Sequence, residues 1–217
     1  MEYETELKLT ITDSDAELLD HLAVVTRYAQ GPAEKKHLLN CYYDTPACDL
    51  WSSHMALRVR QDGNRFIQTL KTGGQSISGL VRRGEWEWNL TDDRLQPDKI
   101  PAELWPEAIQ GHTDKLAPIF RTDFYRTGRR LMIPAGELGD LRVDCHIELA
   151  LDQGEATLLP PEENRRRRIS EVELELKAGE ATMLTTLADI MRNTISLLPR
   201  DVSKAAVGYR LLSLKTE

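Results

Sequence analysis

Six segments of this chain set charged residues against apolar ones with a period of two, and that pattern limits what the chain can fold into. Side chains on a strand point alternately to opposite faces. In the first segment Glu2, Glu4, Glu6 and Lys8 share one face, and Tyr3, Thr5, Leu7 and Leu9 the other. Arg58 and Arg60 oppose Leu57 and Val59, and in the next segment Lys71 lies with Ile67 and Thr69. Arg83, Glu85 and Glu87 oppose Trp86 and Trp88. Arg142, Asp144, His146 and Glu148 oppose Leu141, Val143, Cys145, Ile147 and Leu149; Glu171, Glu173, Glu175 and Lys177 oppose Val172, Leu174 and Leu176. A half-solvated antiparallel sheet accounts for any one of these strands. Across all six it accounts less well, because paired like charges repel mildly and folding does not reward them. Closing the sheet turns the ionic faces inward and leaves the apolar faces for helices to cover. The expected fold is α+β: a closed eight-stranded antiparallel β-barrel with a polar interior and helices packed outside.

The rest of the chain supplies the pieces. Strands are expected at 2–11, 34–44, 80–90, 118–133, 139–152 and 167–177. A hairpin joins 55–61 to 65–72 through Asp62-Gly63-Asn64. Helical spacing follows the caps at Asp13, Ser14 and Asp15 through about residue 26, and returns at 180–196 and 203–214. Residues 73–79 read as a loop, and the proline-punctuated stretch 97–118 as holding a short helix near 102–110. Arg165 to Arg168 reads as a solvated basic loop tip, with entry of a polyanion as the alternative. No internal repeat divides the chain, so residues 1–217 are expected to form a single domain.

Composition bounds the function. The net charge of −7 argues against non-specific nucleic-acid binding, which needs a basic field. No apolar run approaches the ~20 residues that span a bilayer, and the charged first residues do not read as a signal peptide. Three cysteines, none in a Cys-x-x-Cys pair, suit a reducing, cytoplasmic setting.

The charges fit one ligand class. Magnesium takes hard oxygen ligands, one or two carboxylates beside phosphate oxygens and water, and Glu4, Glu6, Glu171 and Glu173 could supply the carboxylates. Lys8, Arg58, Arg60 and Lys71 could neutralise phosphate oxygens, arginine in a forked contact. A cavity holding both sets suits a metal-chelated polyphosphate.

These residues also resemble a known family. Glu4-Thr5-Glu6-Leu7-Lys8 is similar to the Glu-x-Glu-x-Lys signature of the CYTH superfamily, the triphosphate tunnel metalloenzymes. The likeness runs through Tyr42-Tyr43-Asp44-Thr45, Ala56-Leu57-Arg58-Val59-Arg60, Gln68-Thr69-Leu70-Lys71 and Arg83-Gly84-Glu85-Trp86-Glu87. It continues to Arg121, Asp144, Ser170-Glu171-Val172-Glu173-Leu174-Glu175-Leu176, Ser203-Lys204 and Gly208-Tyr209, covering essentially the whole chain. Within the superfamily the chain most resembles the bacterial inorganic triphosphatase branch, whose longer members carry a helical CHAD domain after the tunnel; this chain stops at Glu217.

The resemblance implies an eight-stranded tunnel that hydrolyses inorganic triphosphate with Mg²⁺ or Mn²⁺, with the metal polarising the terminal phosphoryl group and water attacking it. It implies Glu4, Glu6, Glu171 and Glu173 as metal ligands, with Asp144 added. Lys8, Arg58, Arg60, Lys71, Arg83, Arg121 and Lys204 would hold the triphosphate, and Glu85 and Glu87 would line the wall. Glu4, Glu6, Lys8, Glu171 and Glu173 form the catalytic set. Two other readings compete: a class IV adenylyl cyclase or thiamine or nucleoside triphosphatase in the same tunnel, and a non-catalytic polyphosphate-binding module. The expected partner is triphosphate or a related polyphosphate, with neither nucleic acid nor membrane.

Overall fold

The computed structural model describes residues 2–213. The alternating segments form strands β1 (Glu2–Ile11), β2 (Glu34–Asp44), β3 (Ala56–Asp62), β4 (Arg65–Lys71), β5 (Gln75–Ile77), β6 (Leu80–Leu90), β7 (Ala117–Ile133), β8 (Cys145–Leu158), β9 (Arg166–Ala178) and β10 (Leu197–Pro199). Helices are α1 (Asp13–Leu19), α2 (Ala23–Tyr28), α3 (Asp49–Ser52), α4 (Thr182–Arg192) and α5 (Lys204–Ser213).

Eight strands close a barrel in the order β1-β9-β8-β7-β2-β3-β4-β6, and β6 pairs back onto β1 from Glu2↔Glu85 to Leu7↔Leu80. Every pairing is antiparallel. The short strands β5 and β10 add to β6 and β1 outside that ring.

The apolar faces lie where closure demands. Leu7, Leu9 and Ile11 of β1 pack with Leu149, Val172 and Leu174 under α1, α2 and α4. On the other side, Leu57 and Leu70 pack with Leu50, Ile100, Trp105 and Ile109. A third core occupies the lumen itself. Leu38, Tyr42, Phe120, Phe124, Ala156, Leu158 and Ile169 lie on the same parity of their strands as the ionic residues, and Ala205, Val207, Tyr209 and Leu211 of α5 cover them. One end of the barrel interior is therefore apolar, and α5 closes it. Gly208 permits this approach, since a Cβ there would meet the Phe120 ring at 2.1 Å.

Several expectations are corrected. The helix foreseen through residue 26 breaks at Asp20–Leu22, so that Leu19, Leu22, Val25 and Tyr28 all reach one core. Thr12 caps α1 by accepting from the Asp15 N–H at 3.2 Å. The stretch 97–118 holds three 3₁₀ turns instead of a helix; Pro97, Pro101 and Pro106 interrupt it, while Ile100, Trp105 and Ile109 still bury. The strand expected at 139–152 runs from Cys145 to Leu158. Gly136 and Gly139, both at positive φ, hold a turn ahead of it. Gly154 stays within the strand, paired with Phe124 and Ile169, and must be glycine because a Cβ there would meet the Asp123 carbonyl at 2.1 Å. Arg166 to Arg168 begin β9 rather than a loop, with Arg166 3.6 Å from Glu155 and Arg168 paired with Asp13. No helix among the described residues is long and apolar enough to cross a membrane.

Candidate functional site

Seven of the eight barrel strands turn ionic residues into one cavity of about 820 Å³, and β2 adds Tyr42. Glu4, Glu6 and Lys8 of β1, Arg58 and Arg60 of β3, Lys71 of β4, and Arg83, Glu85 and Glu87 of β6 line it, as do Glu173 of β9 and Lys204 of α5. The strand positions among these follow from parity, which the sequence already carried; Lys204 comes from a helix.

The charges form two linked networks. Around β1, the Lys71 ammonium sits 2.9 Å from Glu4 and 3.0 Å from Glu85, and Arg83 reaches Glu4 at 3.0 Å and Glu6 at 2.7 Å. Lys8 lies 2.8 Å from Glu6 and 3.9 Å from Glu173, which joins this network to the second. There Arg126 donates a forked pair to Asp152 at 2.7 and 2.6 Å and reaches Glu173 at 2.5 Å. Lys204 contacts Asp152 at 2.6 Å, Glu173 at 3.0 Å, and Glu171.

Burial would raise these carboxyls, but the cations overcome it. Lys71 and Arg83 hold Glu4 well below the usual carboxylate range. Lys204 and Arg126 do the same for Glu173, and Arg126 and Lys204 lower Asp152. Arg60 is different. Burial, with Arg58 and Arg126 close by, brings it down to about 10. Its Nε donates to Asn40 Oδ1 at 2.9 Å, and among the described residues no carboxylate forms an ion pair with it. The Arg58 Nε is buried with no hydrogen-bond partner. Arg58 has Glu85 at 3.8 Å as its carboxylate, so of the two it is Arg60 that lacks one.

Two expected residues fall elsewhere. Asp144 precedes β8, is exposed, and accepts a hydrogen bond from the Ala135 N–H at 2.9 Å. Asp152, two turns of the pleat beyond Glu148 on the same face, joins Glu171 and Glu173 instead, with oxygens of all three within 4.8 Å of one another. The strand expected at 139–152 stops at this aspartate, whereas β8 runs on through it to Leu158; Asp144 as a ligand comes from the resemblance alone. Arg121 is exposed, paired across the sheet with Cys41 and Thr157. The inward parity of β7 is that of Phe120, Phe124 and Arg126, so Arg126 is the lumen cation of this strand. Parity alone misses it, because the inward face of β7 is mostly apolar under α5. Arg200, also unforeseen, sits 2.9 Å from Glu171 Oε2.

Glu4 and Glu6 stand apart from the triad of Asp152, Glu171 and Glu173, each held by cations. The triad fits a hard divalent ion by donor chemistry. Glu171 Oε2 is fully buried and accepts no hydrogen bond, its one close cation being Arg200 at 2.9 Å, and such an oxygen is the kind of donor a metal satisfies.

A closed antiparallel barrel whose lumen carries facing carboxylates and cations is a charged tunnel. A family model described as CYTH domain matches residues 2–209, and the chain belongs to the CYTH family. An inorganic triphosphatase of Haemophilus influenzae is 33% identical over 210 residues, which are 96% of this chain and 54% of that protein. The chain thus spans about half the length of this relative. Among solved structures, HpAC1 of Hippeastrum, studied as an adenylyl cyclase and found to have a dominant triphosphatase activity, superposes with a TM-score of 0.63 at 19% identity, covering 95% of each chain. PH1819 of Pyrococcus horikoshii superposes with a TM-score of 0.55 at 17% identity, covering 98% of this chain and 99% of that one. At these identities the likeness is one of fold.

Proposed function

We propose that this chain hydrolyses inorganic triphosphate to diphosphate and phosphate inside the barrel, with Mg²⁺ or Mn²⁺ bound. The observation that carries this is the pairing, in one lumen, of the buried triad Asp152, Glu171 and Glu173 with Arg60, which has no carboxylate partner among the described residues, and Arg58, whose nearest carboxylate contact is Glu85 at 3.8 Å. The triphosphatase named for the Haemophilus influenzae relative, and the triphosphatase activity in the name of the Hippeastrum protein, support the same reading. Among the described cysteines Cys41, Cys48 and Cys145 are all free, which agrees with a cytoplasmic setting.

Asp152, Glu171 and Glu173 would hold the divalent ion, with Glu4 and Glu6 on the adjoining wall. When bound, the ion supplies charge neutralisation and polarisation at the phosphoryl oxygens. Arg58 and Arg60 bind the phosphate chain from β3, where two forked donors fix its position and orientation. Lys71 and Arg83, released in part from Glu4 and Glu85, add charge where the leaving diphosphate develops its own. Tyr42 and the apolar plug under α5 exclude bulk water from one end of the lumen. That strengthens every charge interaction inside.

The test is phosphate release from triphosphate, ATP and thiamine triphosphate with each metal. Triphosphate should give the highest kcat/KM. Cyclic AMP as the main product from ATP would overturn the assignment, and tight polyphosphate binding without turnover under any divalent metal would favour a binding module.

A further inference from the structure

Lys204 opens α5 and points its ammonium into acid, contacting Asp152, Glu171 and Glu173 together. The same three carboxylates are the group whose oxygens converge within 4.8 Å. Arg126 reaches two of these acids and Arg200 one, so Lys204 alone among the described residues touches all three. An ammonium and a divalent ion cannot share so small and desolvated a cage, because like charges at that separation repel strongly. We infer that Lys204 is a built-in counter-cation that holds the acid triad until a divalent metal displaces it, and that the displaced ammonium then serves as a phosphate ligand.

The surroundings allow the exchange. Lys204 lines the cavity as well as the triad, so a rotation about its flexible stem carries the charge from one to the other. Its departure strands no acid: Asp152 and Glu173 keep Arg126, and Glu171 keeps Arg200 within 2.9 Å. Glu171 Oε2 accepts no hydrogen bond and has Arg200 only as an ionic contact, so it can take a second cation. The far part of α5 is pinned, with the Tyr209 hydroxyl donating to Asp44 Oδ2 at 2.6 Å and its ring stacked on Trp51 at 4.4 Å, which confines the change to Lys204. The consequence is positive coupling: the metal makes the anion site more cationic as it binds.

This inference rests on the metal-dependent reading above, and two measurements separate them. Calorimetry with Mg²⁺ or Mn²⁺ alone, without triphosphate, compares the unaltered chain with Lys204→Gln. Removing the competing charge should tighten metal binding by about 5- to 150-fold, the usual range of such coupling. The second uses the unaltered chain and so does not depend on the variant folding: acetylation of lysines followed by peptide mapping, with and without metal. Lys204 should label several-fold faster with metal, while exposed Lys99 is unchanged. Metal binding that is equal or weaker in Lys204→Gln, with unchanged labelling of Lys204 in the unaltered chain, overturns the displacement and leaves the metal reading standing. No metal binding to either protein overturns both.

Discussion

Arg60 shows how a single residue can carry a binding role. It is a half-buried cation with an amide for a partner and two other arginines nearby, an arrangement that costs the fold free energy and that a phosphate relieves. Arg60→Ala should raise KM for triphosphate by about 10- to 100-fold, the worth of one or two hydrogen bonds to a charged group. Steady-state kinetics should show kcat nearly unchanged and thermal unfolding no loss of stability. A variant with normal KM would remove Arg60 from the grip. Among the acids the contrast is between Asp152 and Asp144. Asp152→Asn and Glu173→Gln should each cost turnover about 100-fold or more, since even indirect partners of a metal are worth about 10- to 100-fold. Asp144→Asn and Arg121→Ala should stay within about twofold, as exposed substitutions do. The same assay under saturating metal decides both halves of the comparison.

Among the elements, α5 does the most unusual work. A helix that covers the interior of a barrel end must come close to strand side chains, and Gly208 against Phe120 is where it comes closest. Gly208→Ala should therefore destabilise by about 1–3 kcal/mol through overpacking, read as a lower midpoint in chemical denaturation. Asp44 explains why α5 stays put. Its carboxylate accepts from the N–H groups of Thr45, Leu50 and Trp51, at 2.7, 2.9 and 3.0 Å, and from the Tyr209 hydroxyl, so one buried side chain ties β2, α3 and α5 together. The β7–β8–β9 meander carries the second acid wall, and its register sets which acids meet. Ala150↔Glu173 and Asp152↔Glu171 are cross-strand neighbours on the inward face, which is why Asp152 completes the triad.

For the whole molecule, stability should depend on pH in a predictable direction. Glu4, Asp152 and Glu173 are all held below their ordinary values by neighbouring cations. A carboxyl depressed in the folded state contributes stability above its unfolded value of about 4, and loses it as pH falls toward the folded value. Thermal unfolding should therefore show a midpoint that holds from pH 7 to about 5 and drops steeply below about 4. A flat profile down to pH 2 would mean that the lumen pairs do not contribute. Chelation should behave differently. Backbone pairing closes the barrel on all eight strands and the main cores lie outside the charged lumen, so removing divalent metal should abolish hydrolysis and leave the far-UV circular dichroism unchanged.

The sequence by itself determined the barrel and most of its charged wall. Strand alternation is local, with a period no tertiary contact alters, so Glu4, Glu6, Lys8, Arg58, Arg60, Lys71, Arg83 and Glu173 could be assigned to one face before any fold was known. Two things lay beyond it. Where β8 begins depended on a glycine turn and on a mid-strand glycine that reads as a break, and this shift separated Asp144 from Asp152. Which face of β7 looks inward depended on α5 entering the lumen, because a helix arriving from more than seventy residues away makes an apolar face an interior one. Parity sorts the residues of a strand into two faces; only the packing of distant elements decides which face is inside and which charges meet there.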